Sequence, residues 1–162
     1  RVGVALLPIR HYYVRGMNQL GRWIANVGAD FFAVTNDDVT FTRDGWDEVA
    51  RAALLNRFRH GEGILELAGD ELCAHYASRW RFFAHYFQGR LAEPAYTFYC
   101  SDTELRERAR ALGRYHAAPE LAILTHHVVA DAIRSEVEYW MPQDRDEYNR
   151  RWQPHWKKEA WQ

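Results

Sequence analysis

Phe31, Phe32, Ala33, Val34 and Thr35, followed at once by Asn36, Asp37 and Asp38, constrain the fold of this chain more than any other stretch. A short apolar, β-branched run bounded by polar residues reads as a strand covered on both faces. In an open α/β sheet, ligands bind at the carboxyl ends of strands, so the three polar side chains fall at a candidate site. Two carboxylates and an amide crowded into one loop repel each other unless a cation or solvent offsets the charge. Mg²⁺ and Mn²⁺ take oxygen ligands of this kind. The alternative is an Asx-rich turn, since Asn and Asp are ordinary turn residues.

A chain of 162 residues suits one domain with a real core and is too short to expect two. Hydrophobic residues at 48% and charged residues at 27% are ordinary globular usage, which argues against disorder. The aromatic content of 15% suits both a core and a surface on which sugars stack. Lys and Arg number 21 against 22 Asp and Glu, spread along the chain, so nothing supports a nucleic-acid-binding face. Cys73 and Cys100 lack motif spacing and suggest buried thiols in a reducing compartment. No apolar run approaches the ~20 residues of a membrane span and no signal peptide is visible, so a soluble, cytoplasmic protein is expected. The chain opens without Met, directly on a strand pattern at residues 2–7, as if in the middle of a sheet.

Taken in order, residues 2–7 read as a strand closed by Pro8. Val14, Met17, Leu20, Ile24 and Val27 recur at helical spacing over residues 12–27, and Gly28 supplies the stop. With the strand at 31–35 this makes a right-handed βαβ unit. Asp44 is a good N-cap for a helix over 45–57, with Asp47 and Glu48 against its dipole and Trp46, Val49, Ala53 and Leu54 on its apolar stripe. An alternating strand follows at 64–68, then a helix over 79–87 carrying Trp80, Phe83 and Phe87, and an extended aromatic segment at 96–100. Ser101-Asp-Thr-Glu104 has the form of a capping box, opening a helix with Leu105, Ala109 and Leu112 that stops at Gly113. A strand at 119–124 delivers Thr125, His126 and His127; adjacent histidines point opposite ways, so one of them can reach a given site. Asp144 is expected to cap a last helix over 144–152. The whole reads as a single domain, with a sheet core over 1–130 and a helical tail over 131–162.

Several of these pieces resemble, in this order, the GT-A glycosyltransferases, in particular the small bacterial or phage-type enzymes that are family 2-like. Arg15-Gly-Met-Asn18 is similar to their Ala-Arg-Asn segment, and Asn36-Asp37-Asp38-Val39 to their Asp-x-Asp loop, with Asn36 where the first Asp often stands. Gly45-Trp46 resembles their post-motif Gly-Trp. Cys100-Ser-Asp102-Thr-Glu104-Leu, followed by Arg-Ala-Arg-Ala-Leu-Gly, resembles their Asp-x-Glu-Leu and Arg-Leu-Gly pattern. The resemblance implies an α/β, three-layer, Rossmann-like fold with a mixed, mainly parallel sheet flanked by helices, here lacking the N-terminal nucleotide-binding strands. It implies Mn²⁺ or Mg²⁺ held by Asp38 and His126, with His127 second in order, and a nucleotide-sugar donor met by Arg15, Asn18 and Asp37. Asp102 is implied as the catalytic base that takes the proton of an acceptor hydroxyl, with inversion at the sugar.

The leading expectation is therefore a metal-dependent glycosyltransferase, or its metal and acceptor half. A second is a non-catalytic binding or assembly module that keeps the fold without the donor site. A third is a metal-dependent phosphoester hydrolase using the same carboxylates. A strand at 2–7 on an exposed sheet edge also implies self-association or a partner chain.

Overall fold

The computed structural model describes residues 13–35, 39–69, 74–97, 99–126 and 134–156, of which 126, 134–138 and 153–156 are described by backbone alone. The expected strand at 2–7, together with Asn36, Asp37, Asp38, Cys73 and His127, lies outside these residues. Along the chain run α1 (Tyr13–Asn26), β1 (Phe31–Val34), β2 (Val39–Phe41), α2 (Trp46–Arg57), β3 (Ile64–Glu66), β4 (Tyr76–Arg79) and α3 (Trp80–Tyr86). Then follow α4 (Ser101–Ala111), β5 (Tyr115–Ala117), β6 (Leu124–His126) and α5 (Arg134–Trp156).

Local sequence accounts for most of the helices. Val14, Met17 and Ile24 on α1 are buried as their spacing requires, with Gly21 on the same face, while Val27 beyond the helix end is exposed. The helix stops at Gly28, which sits at φ 67 so that its N–H reaches Ala25 O at 3.2 Å and Ala29 N–H reaches Ile24 O at 3.1 Å. Gly113 closes α4 by the same pair of bonds, to Arg110 O and Ala109 O. Helix α2 buries Ala50 and Leu54 and carries Asp47 and Glu48 in its first turn, where the helix dipole favours them.

The sheet is mixed α/β, but its pairing departs from expectation. The order is β1-β4-β3-β5, with β1–β4 and β4–β3 antiparallel and β3–β5 parallel, and β2 pairs β6 antiparallel in a separate ribbon. A mainly parallel sheet is thus not what the described strands form. The physical reason lies in the connections: residues 67–75 between β3 and β4 are too few for the dozen or more that a parallel crossover takes. From β3 to β5 the chain has room for two helices, and there the pairing is parallel.

Alternate strand residues feed two cores. Phe32, Ile64 and Tyr76 join Val14, Met17, Phe83 and Leu105 in one cluster, while Leu65 and Ala77 join Ala50, Leu54, Ile123 and Leu124 in the other. Helices therefore cover both faces of the sheet.

Other expectations are corrected at the same level. β1 is packed on both faces, Phe32 and Val34 on one core cluster and Phe31 and Ala33 on the other, but only Phe32 is fully buried because the strand pairs on one side alone among the described residues. β3 does not alternate: all three of its residues are buried because it is central. Gly45, not Asp44, is the N-cap of α2, and Cys100 at φ 62 precedes α4 without any side-chain cap. The capping box fails because both of its side chains are engaged elsewhere. Ser101 Oγ accepts from Glu93 N–H at 2.9 Å, and Glu104 turns to Tyr96 and Arg151. Residues 119–124 hold a 3₁₀ turn, Pro119–Leu121, before β6, and the described residues 96, 97, 99 and 100 form no strand. Asp144 lies mid-helix in the longer α5 instead of capping it.

Candidate functional site

Three places carry chemistry. The first is an open cavity of about 560 Å³ lined by Val14, Arg15, Asn18 and Arg22 of α1 and by Gln88, Gly89, Arg90, Pro94, Tyr96 and Thr97 of the loop after α3. Arg15, Asn18 and Arg22 stand three and four residues apart, so they share one helix face. Asn18 locks the loop onto that face: its amide donates to Ala92 O at 2.9 Å and accepts from Ala92 N–H at 3.1 Å. Gly21 permits the close approach, since a Cβ there would stand 3.1 Å from Leu91. Leu91 is buried in consequence. Arg90 is thereby carried to the cavity shared by Arg15 and Arg22. No Asp or Glu lines the cavity, and among the described residues neither Arg15 nor Arg90 has a carboxylate partner.

The second place is the β2–β6 ribbon. Its register sets Val39 opposite His126 and Thr40 opposite Thr125, so the residue that directly follows Asp38 in sequence is the cross-strand partner of His126. Directly opposed residues in an antiparallel pair have Cβ atoms ~5 Å apart. Asp37, Asp38 and His127 lie outside the described residues; among the described ones, no group of three His, Cys, Asp or Glu converges.

Asp102 forms the third, at the start of α4. Its Oδ1 accepts from Thr103 N–H at 2.7 Å. Burial pushes its pKa up, partly opposed by the bond from Thr103 and by Arg106 nearby. It is not among the residues lining the arginine cavity, whose wall includes Tyr96 and Thr97.

That wall is fixed by α5. Asp144, 3% exposed, accepts Thr97 N–H at 2.9 Å and Tyr99 N–H at 2.7 Å. Beside it Glu104 accepts two bonds from Arg151, at 3.0 and 3.1 Å, and one from the Tyr96 hydroxyl at 2.5 Å. Burial alone would raise the Glu104 pKa; the bonds from Arg151, Tyr96 and Trp152 reverse this and hold it below its ordinary value. The sign for stability follows: Glu104's contribution is full above the unfolded-state value of about 4.5 and is lost as pH falls through the lower folded value. Arg151→Ala, which strands Glu104 at 3% side-chain exposure, is expected to lower stability by about 3 kcal/mol at neutral pH. The variant should also lose less than wild type on acidification below pH ~4; equilibrium urea unfolding across pH checks both.

The sequence-derived site residues thus fall into separate groups. Arg15 and Asn18 come together at the cavity, His126 pairs with the strand after Asp38, and Asp102 stands at the α4 start. Asn18 spends its oxygen and one N–H on Ala92, so it fixes the loop. Arg22 and Arg90 escaped the sequence reading. Arg22, seven residues after Arg15, was findable by helical spacing, whereas nothing in the sequence announces Arg90. Cys100 is a free, partly buried thiol whose pKa burial pushes up to about 11. No helix among the described residues is long and apolar enough to cross a membrane.

No protein-family model, no curated protein and no solved structure matches this chain.

Proposed function

We propose that this chain is a metal-dependent glycosyltransferase domain, transferring a sugar from a nucleotide-sugar to an acceptor hydroxyl with inversion. The GT-A, three-layered character of the fold is part of the same proposal. The observation that carries it is the β2–β6 pairing, which brings the strand that follows Asp38 beside the strand that ends at His126. Carboxylate oxygen and imidazole nitrogen together suit Mn²⁺, and Mg²⁺ through the carboxylates. Asp38 and His126 would hold the cation, with Asp37 and Asn36 beside them. When bound, the cation supplies charge to offset the leaving diphosphate. Asp102 is the base: burial raises its pKa toward the working range, which improves a carboxylate as proton acceptor at neutral pH.

The test is thermal stability with UDP plus Mn²⁺. A ligand at 100 times its dissociation constant should add about 2.7 kcal/mol to stability. Asp38→Asn is expected to abolish that gain while leaving the ligand-free midpoint unchanged. A folded Asp38→Asn protein that keeps wild-type Mn²⁺ affinity overturns the metal assignment. Absence of a shift with any nucleoside diphosphate would favour a non-catalytic binding module.

A further inference from the structure

The arginine cavity has a chemistry that the metal loop does not require. Three arginines line one volume with no carboxylate among its lining residues. A single carboxylate ligand would be matched by one Arg fork, whereas a phosphate, with two charges and three free oxygens, can take two or three. About 560 Å³ falls in the range of small-molecule sites and is far below the extended groove a polymer needs. The backbone segments that carry the arginines are held together. Asn18 and the Gly21–Leu91 contact pin the loop bearing Arg90 to the helix bearing Arg15 and Arg22.

None of the lining residues belongs to β2 or β6, where the cation and the donor diphosphate are proposed to lie, so the cavity is separate from the proposed metal site. Thr97 on its wall is held by Asp144, which also accepts from Tyr99 N–H.

We propose that the cavity binds the phosphate of a small phosphorylated molecule, with Arg15, Arg22 and Arg90 as its specificity residues, and that under the transferase reading this molecule is the acceptor. The word acceptor rests on the transferase reading; the anion site itself does not. Arg15, which the family resemblance turns toward the donor, acts here on the acceptor side.

The experiment is calorimetric titration of the protein with glycerol 3-phosphate in EDTA, at low and moderate salt. Binding is expected without metal and should weaken with ionic strength. It should fall about tenfold in each of Arg22→Gln and Arg90→Gln, as the loss of one charge-assisted contact gives. It should be unchanged in Asp38→Asn. Both arginines are exposed, so the variants should keep the wild-type unfolding midpoint. No binding in EDTA, or binding indifferent to both arginine substitutions, overturns the proposal. So does metal-free UDP that competes with glycerol 3-phosphate and is lost in the same variants, for the cavity would then hold the donor. Retained glycerol 3-phosphate binding alongside a failed UDP and Mn²⁺ shift would leave the anion site supported and remove the transferase reading.

Discussion

Asp102→Asn should lower transfer from a nucleotide-sugar by a factor on the order of 10²–10⁴, with donor and metal affinity preserved. Asn keeps an oxygen for the Thr103 N–H but cannot take a proton. If Asp102 only favours the start of α4, the same substitution removes a dipole interaction worth about 0.3–1 kcal/mol and leaves turnover within a few-fold of wild type. Stability separates a catalytic loss from an unfolded protein. Because burial raises the Asp102 pKa, the ionised group destabilises the fold above that pKa and the cost vanishes as pH falls through it. Neutral Asn escapes the cost, so the midpoint at pH 7 should hold or rise. Rate and calorimetric midpoint measured on one preparation decide between the two roles.

Asp144→Ala is expected to harm the fold about as much as Arg151→Ala. It takes away the acceptor for two backbone N–H groups, at Thr97 and Tyr99, in a part of the molecule where Asp144 itself is 3% exposed. Half-buried donors left without their charged acceptor cost on the order of 3 kcal/mol together, a fall of roughly 6–12 °C in midpoint for a chain of this size. Asp144→Asn keeps one acceptor oxygen and should lose about half as much. The alanine variant should also weaken glycerol 3-phosphate binding, because Thr97 and Tyr96 line the cavity. A midpoint equal to wild type would show that the segment at 97–99 is held by other means.

Helices were legible where a periodic apolar face met a chemical stop. The stripe at Val14, Met17 and Ile24 and the glycines at 28 and 113 carry their structural meaning in sequence, because a 3.6-residue period and a left-handed stop are local properties. The strand at Phe31 and the helix at Trp46 were readable for the same reason. β4 was not: Tyr-Ala-Ser-Arg has no alternation, since Ala77 and Ser78 are buried between neighbouring strands and Ser78 bonds Gly63 O at 2.7 Å. Parallel or antiparallel pairing was equally out of reach, because it depends on which strands meet.

Caps and clamps were decided by tertiary competition. Ser101, Glu104 and Asp144 are all residues that cap helices in isolation, yet each found a partner distant in sequence or outside its own helix terminus. A side-chain oxygen takes the strongest donor within reach, and the local rule sees only donors nearby in sequence. The candidate chemistry divides along the same line. Residue types at Asp38, Asp102 and His126 were readable from order and spacing. The juxtaposition of Val39 with His126, and the gathering of Arg90 with Arg15 and Arg22, exist only because strands pair and a loop docks across 74 residues of chain through Asn18 and Ala92.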